Sequence, residues 1–258
     1  MDILTAIFIS PFADMINEPI WLLETVINGL LKGGMYSLVA LGFVLIFKAS
    51  GVFNFAQGAM VLFSALTLVG LMEKGVPVWL ALIITSGVMV ILAVVIEKLV
   101  LSKLVNQPDI IIFMATIGIA FFLEGFGETV WGSDIHPLDV GIPDYPIEIG
   151  AMLLGSFDLW AALIGAVLVI GLAVFFQKTT IGRALRAVAD DHQAALSVGI
   201  PLKTIWIVVW SVAGFVGLVA GIIWGTKSGV QFSLSLIAFK ALPVLILGGF
   251  TSIPGAIV

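Results

Sequence analysis

Seven apolar runs, each long enough to cross a lipid bilayer, constrain this chain more than any other feature of its sequence. A membrane-spanning helix needs about 20 apolar residues, because the hydrocarbon core is about 30 Å thick and each helical residue adds about 1.5 Å. The runs are residues 20–47, 52–72, 78–100, 110–131, 157–176, 204–226 and 236–258. They are continuous and do not alternate with period two, which excludes a transmembrane β-barrel. The sequence therefore predicts an all-α polytopic membrane protein.

The amino-acid composition agrees with a polytopic membrane protein and excludes several kinds of function. Charged residues make up only 10% of the chain, whereas soluble domains carry about a quarter. The chain has no cysteine, so thiol chemistry and iron–sulfur ligation are excluded. Its few basic residues are scattered, so no nucleic-acid partner is expected, and His136 and His192 fall in opposite loops, so no metal site is expected. No phosphate-binding glycine loop occurs. We therefore expect neither an enzyme nor an ATPase, and no catalytic residues.

The chain is interpreted as one transmembrane domain, residues 1–258, with polar segments between its spans. Residues 1–19 are predicted to be an interfacial lead-in, and residues 132–156 a long acidic loop. The first apolar run is too long for one perpendicular helix, so its front part is expected to tilt or to lie in the interface. The last run stops inside an apolar segment at Val258, so we expect the chain to be incomplete at its C-terminus.

Basic residues fall in alternate connections between the runs, which predicts the orientation. One set of connections holds Lys48, Lys98, Lys103, Lys178, Arg183, Arg186 and Lys203. The opposite set holds only Lys74 and Lys227. Because Lys and Arg are retained on the cytoplasmic side, we expect residues 178–203 inside the cell. The N-terminus and residues 132–156 then lie outside.

The polar segment at residues 178–203 has the pattern of a short amphipathic helix. Thr179 or Thr180 can cap its start, Gly182 lies in its first turn, and Gly199 ends it. A charged helix that a many-span protein presents to the cytoplasm is typically bound by another protein. The alternative is a solvated loop that only connects two spans.

Two segments predict helices that are interrupted within the membrane. Their polar and glycine residues are Asn54, Gln57, Gly58, Thr251, Ser252 and Gly255. Irregular backbone at this depth is tolerated only where it is buried in protein or lines a wet cavity. Residues 57–61 are also echoed by residues 254–258, and paired interruptions indicate a transporter with internal repeats. These six residues are therefore predicted to line a solute path, the alternative being two ordinary glycine loops.

Other residues within the runs favour structural roles. Gly217, Gly221 and Gly225 are four residues apart, so they share one helix face and predict close helix packing. They can alternatively edge a translocation path. Glu124 and Glu128 are one turn apart near the outer end of their span and are interpreted as hydrated helix ends. An acidic rim to an outward cavity is the alternative.

Several stretches resemble the permeases of branched-chain amino acid ABC importers. They are NGLLKGGMYSLVALGF at residues 28–43, NFAQG at 54–58, TIGRALRAVAD at 180–190 followed by Gly199 and Ile200, FKAL at 239–242 and LGGFTSIPGA at 247–256. They occur in the family's order from residue 28 to residue 258. Gln57 stands where many relatives have histidine, and the closing helix expected after Gly255 is missing.

The resemblance implies about eight spans, counting broken or re-entrant segments, in the inner membrane of a bacterium. It implies a second homologous permease, two cytoplasmic ABC ATPases and a periplasmic solute-binding protein as partners, besides membrane lipid. ATP and magnesium would be used by the ATPases, and no cofactor is expected on this chain. The residues implied to couple to the ATPase are Gly182, Arg183, Arg186, Asp190 and Gly199. Relatives import branched-chain or other hydrophobic amino acids, or urea and short amides, and the choice stays open.

Other functions fit parts of the sequence. An ion-coupled secondary transporter would share the broken helices, but carboxylates at span centres would favour it and none is clearly central. An intramembrane enzyme would need a catalytic Ser–His pair, paired aspartates or a metal set within the spans. A passive channel fits the composition and leaves the amphipathic helix unexplained. An importer permease therefore accounts for most of the sequence.

Overall fold

The computed structural model of the chain describes residues 15, 17–105, 107–252 and 255. Its helices are α1 Pro19–Ser50, α2 Gln57–Glu73, α3 Val78–Leu99, α4 Asp109–Trp131, α5 Ser156–Lys178, α6 Thr180–Asp190, α7 His192–Ser197, α8 Leu202–Ser228 and α9 Ile237–Gly248. Two 3-10 helices, Leu101–Lys103 and Phe232–Leu236, and two strands, β1 Pro146–Ile149 and β2 Met152–Gly155, complete the described elements. The prediction of an all-α polytopic membrane protein is confirmed.

Among the described residues, five helical segments are long and apolar enough to cross a membrane. They are Pro19–Ser50, Val78–Lys103, Asp109–Trp131, Ser156–Lys178 and Leu202–Ser228. Two shorter apolar helical segments, Gln57–Glu73 and Phe232–Gly248, occupy the other two predicted runs. The first is short because the backbone before Gln57 is not helical. The second begins with the 3-10 helix Phe232–Leu236 and continues as α9. The predicted lead-in, residues 1–19, lies mostly outside the described residues.

The bundle has two ends that differ in charge and structure. The hairpin end carries β1 and β2, which pair antiparallel with Pro146 opposite Gly155. The α6 end carries α6 and α7, and the basic residues of the alternate connections lie there. The sequence does not predict this hairpin, because strands of four residues are too short for a reliable pattern and lie inside a loop. Gly150, with φ of 66°, makes the turn between them.

Helix α2 is the centre of the packed core. Every residue from Gln57 to Gly70 is buried, which is why its apolar pattern has no polar face. Helix α1 is one continuous helix of 32 residues, about 48 Å long. Its first half has no buried residue, whereas most residues from Met35 onward are buried. The long first run is therefore a single helix that joins the core only through its second half.

Polar contacts tie the elements together at the hairpin end. His136 Nδ1 lies 2.8 Å from a carboxylate oxygen of Glu73, at the end of α2. Lys227, near the end of α8, forms a salt bridge with Asp158 in the first turn of α5. The Leu153 amide donates to Glu24 at 3.3 Å, which joins the hairpin to α1. The loop at residues 132–156 is therefore held to α1 and α2, and the salt bridge joins α8 to α5 at the same end.

Candidate functional site

The break before α2 is present and is fixed by side-chain hydrogen bonds. The buried Asn54 side chain accepts a hydrogen bond from the Ala56 amide at 3.1 Å, which closes a tight turn. The Phe55 amide donates to Thr116 Oγ1 of α4 at 3.0 Å. Two backbone amides that could not be satisfied by helix are therefore satisfied by side chains at membrane depth.

Gln57, the first residue of α2, is sealed between α1 and α8. Its Nε2 donates to the Ala213 carbonyl at 3.4 Å, and the side chain lies against Gly42 of α1. Its Oε1 is buried without a hydrogen-bond partner among the described residues. Gln57 thus does not line the cavity that its neighbour Gly58 lines.

Gly58 is required by the close approach of the chain that precedes α9. A Cβ at this position would overlap the Ser235 carbonyl oxygen and would lie 2.8 Å from the Cβ of Ala238. Helix α9 can therefore start against the first turn of α2 only because residue 58 has no side chain.

A cavity of about 200 Å³ opens beside this contact, between the start of α2 and helices α4 and α9. Its wall includes five phenylalanines, which are Phe43, Phe53, Phe55, Phe121 and Phe239. Gly58, Ser235 and Glu124 also line it. Among the described residues that line it, Glu124 is the only charged one, so this wall is aromatic with one acidic group.

The second predicted break lies at the α6 end. Helix α9 ends at Gly248, and Phe250 then packs on Phe47 of α1 with ring centroids 5.1 Å apart. Thr251 lines a separate cavity of about 440 Å³ together with Lys48 and Asp190. The structure thus brings Thr251 next to the end of α6, away from the Gly58 cavity.

Ser252 and Gly255 are joined by a local hydrogen bond, with the Gly255 amide donating to Ser252 Oγ at 3.0 Å. Neither residue lines the cavity at Gly58. Of the echo at residues 254–258, only Gly255 belongs to the described residues.

Helix α6 begins at the predicted cap. Thr179 Oγ1 accepts a hydrogen bond from the Gly182 amide at 3.1 Å, which satisfies one of the free amides of the first turn. The buried face of α6 consists of Gly182, Leu185 and Val188. A Cβ at Gly182 would overlap the backbone of Phe176, so glycine allows α6 to fold back closely on α5.

The charged side chains of α6 lie on its other face. Arg183, Arg186 and Asp190 are exposed. The Arg186 guanidinium donates to the Phe176 carbonyl at 2.7 Å, which ties it to the last turn of α5. The Arg183 side chain has no hydrogen bond or salt bridge to any described residue. The arrangement is an amphipathic helix anchored by one face and presenting charge on the other.

The prediction of a single helix from Gly182 to Gly199 is wrong. Asp191 has an extended backbone, and its carboxylate accepts from the amides of Gln193 and Ala194 at 2.8 and 3.0 Å. The extended backbone of Asp191 ends α6 and its side chain caps α7, so the segment is two short helices. Gly199, with φ of 83°, then closes α7, as its position after the helix predicts.

The glycine row of α8 lies mainly against α2. A Cβ at Gly221 would lie 2.8 Å from the Val61 carbonyl oxygen, and one at Gly217 would lie 3.6 Å from Val61 and Gln57 atoms. Gly225 instead contacts the side chains of Val230 and Leu138 at the hairpin end. These contacts are of the close-packing kind.

Two carboxylates have environments that differ from the hydrated helix end that the sequence favours. Glu124 is partly buried and lines the aromatic cavity, as the alternative of an acidic rim has it for this residue, whereas Glu128 is exposed and does not line it. Glu97 of α3 is 1% exposed, and neither of its oxygens has a hydrogen-bond partner among the described residues. Glu97 lies next to a basic residue at a helix end, so the sequence carries no signal of its burial. No group of three or more His, Asp or Glu that could hold a metal occurs in the described part of the chain.

Residues 25–258 match the family described as the permease component of branched-chain amino acid transport systems. The high-affinity branched-chain amino acid permease LivH of Salmonella typhimurium is 25% identical over 265 residues, covering 95% of this chain and 84% of LivH. BraD of Pseudomonas aeruginosa, also described as a high-affinity branched-chain amino acid permease, is 25% identical. That match covers 91% of this chain and 81% of BraD. The fructose import permease FruF of Bifidobacterium longum is 25% identical over 76% of this chain and 53% of FruF. No solved structure matches the chain.

Proposed function

This chain belongs to the family of branched-chain amino acid transport permease components, and from that premise we propose that it is the translocation subunit of an ATP-driven importer. It carries apolar amino acids across the membrane and is moved by a separate ATPase. The observation that carries the proposal is α6, an amphipathic helix anchored by its apolar face and exposed by its charged face.

The construction of α6 supports mechanical coupling. Gly182 lets it lie against the backbone of Phe176, and Arg186 is hydrogen-bonded to that same residue. A force applied to α6 would therefore pass directly into α5. Rigid-body movement of packed elements is a common way to transmit a conformational change from one site to another. Arg183, Arg186 and Asp190 offer charges to an ATPase groove, while Gly182 and Gly199 shape the segment.

The proposed complex contains a second homologous permease, two cytoplasmic ATPases and a periplasmic solute-binding protein. ATP and magnesium act in the ATPases, and this chain binds no cofactor. In this orientation the hairpin end and the N-terminus face the periplasm, and the α6 end faces the cytoplasm. The excess of basic residues at the α6 end supports that orientation. Residues 1–258 act as one permease domain.

Branched-chain or other hydrophobic amino acids are the proposed solutes, with urea or short amides as the alternative. The aromatic wall of the Gly58 cavity supports the first choice, because phenylalanine faces favour apolar side chains over small, strongly hydrated amides. The broken segments at Asn54 and Thr251 contribute backbone groups to the path at two different depths.

The test is uptake into proteoliposomes that contain the full complex and its binding protein. Radiolabelled leucine should accumulate when ATP is supplied to the ATPase side and should not accumulate under a proton gradient alone. A hundredfold excess of urea or acetamide should leave that uptake unchanged. Uptake driven equally well by a proton gradient without ATP would contradict the proposal and favour an ion-coupled carrier.

A further inference from the structure

The aromatic cavity contains one carboxylate at a depth where a lone charge is costly. Glu124 is seven residues before Trp131, the last residue of α4, so it lies about 10 Å inside that end. Ionisable groups at such depths face a cavity, a pathway or an opposite charge. Glu124 lines the cavity, and in the described part of the chain no hydrogen bond or salt bridge reaches its carboxylate. Lys240, which follows Phe239 on α9, is exposed and makes no salt bridge to it.

The depth of Glu124 relative to α2 follows from contacts between two parallel helices. The Phe55 amide bonds Thr116 near the α6 end, and Gly70 lies against the Trp131 ring near the hairpin end. These pairs share one register, which sets the backbone of Glu124 about 7 Å, or nearly one and a half turns, further toward the hairpin end than Gly58. The carboxylate and the first turn of α2 therefore border the same cavity from different heights.

The opposite pole of the cavity is the start of α2. The amides of Gly58 and Ala59 belong to the first turn of a 17-residue helix, and no acceptor for either occurs among the described residues. Both residues line the cavity. Free amides at a helix start attract a carboxylate through hydrogen bonds and the helix dipole.

An apolar wall lies between these poles. The phenylalanine rings offer faces that attract an ammonium group as well as apolar contact for a side chain. A neutral urea or amide has no positive group for Glu124, and a fatty acid has none either. An apolar amino acid has all three parts: an ammonium group, a carboxylate and a hydrocarbon side chain.

We propose that Glu124 binds the ammonium group of an apolar amino acid in this cavity while the first turn of α2 binds its carboxylate. The inference rests on the proposed importer function and deepens it, because it makes Glu124 the residue that selects amino acids over neutral amides. Phe43, Phe53 and Phe239 hold the hydrocarbon side chain.

The experiment uses proteoliposomes with the full complex, and it compares Glu124→Gln with Glu128→Gln. Glu128 lies one turn further out on α4, is exposed, and does not line the cavity, so it is a matched control. The readout is leucine taken up per ATP hydrolysed, at a fixed concentration of the same binding protein. Loss of a charged hydrogen bond predicts a decrease of about tenfold or more for Glu124→Gln. For Glu128→Gln, leucine uptake per ATP should stay within about twofold of wild type, because no charged hydrogen bond to the solute is lost. Glu124→Asp keeps the carboxylate, so its uptake per ATP should lie between those of Glu124→Gln and wild type.

A second measurement needs no variant. A hydrophobic carbodiimide labels carboxyl groups within membranes, and mass spectrometry can compare labelled Glu124 with labelled Glu128 in the wild-type complex. Leucine should protect Glu124 and leave Glu128 labelled, whereas 4-methylpentanoate, which lacks the ammonium group, should protect neither.

The two proposals fail differently. If wild-type complex takes up leucine with ATP but Glu124→Gln does so equally well, or leucine leaves Glu124 labelling unchanged, the role of Glu124 is overturned and the importer function stands. If wild-type complex shows no ATP-driven leucine uptake, the importer function itself is overturned.

Discussion

The start of α2 and the α6–α7 segment are both irregular pieces of chain, but they are held in opposite ways. Asn54, Gln57 and Gly58 lie in the core and are fixed by contacts with four other helices. Helices α6 and α7 are fixed by their own caps and by one apolar face, and their charged side chains are exposed. In the first region, the residues proposed to line the solute path also hold the fold together. In the second, the residues proposed to couple to the ATPase can be changed while the fold is kept.

The sharpest test of this contrast is Gly58→Ala. The new Cβ would overlap the Ser235 carbonyl, and backbone at that contact cannot move without shifting α9. Overpacking of this kind should cost about 3 kcal/mol of stability, read as a lower melting temperature of the purified complex. Gly118→Ala in α4 is the control, because nothing lies within 4 Å of that position. Equal melting temperatures for the two variants would refute the close packing of α2 with α9.

Arg183→Glu should separate coupling from folding at the other region. Because Arg183 is exposed and has no bonded partner among the described residues, its reversal should change the melting temperature little. Association with the ATPase should weaken about tenfold, in line with one lost charged contact. Lys103→Glu makes the same charge change at an exposed position of the same end. If the two variants bind the ATPase equally well, the role of α6 is contradicted.

The smallest expected effect is that of Thr179→Ala, which removes the cap of α6. Loss of an N-cap costs about 1 kcal/mol, and here it acts on a helix of 11 residues. Hydrogen–deuterium exchange should therefore rise in α6 while α2 is unchanged. Thr180→Ala, one residue later and without a side-chain hydrogen bond to the described residues, should leave exchange as in wild type. Protection of α6 that survives loss of Thr179 would show that packing alone holds the helix.

The same contrast explains which features were predictable from the sequence. The helices followed from the length of the apolar runs, and the break before α2 followed from polar residues and glycine at membrane depth. The start of α6 followed from Thr179, because capping depends on residues within one turn. The wrong prediction of a single helix up to Gly199 came from overlooking Asp191, whose side chain is itself a helix cap.

The Gly58 cavity could not be predicted, since it depends on how distant segments meet. Glu124 borders it because the contact between Phe55 and Thr116 sets the register of α2 against α4. Phe239 reaches it because Gly58 admits the chain before α9. Neither contact has a signal in local sequence. Burial of Glu97 depends in the same way on tertiary packing.

The most direct test of the account replaces the catalytic base of the partner ATPase, so that the complex assembles and binds ATP but does not hydrolyse it. Leucine flux into proteoliposomes is then compared with that of the unaltered complex at equal amounts of assembled protein. Because the chain is proposed to move only when the ATPase moves it, flux should fall to the level of liposomes without protein. Undiminished flux with the inactive ATPase would contradict the central claim.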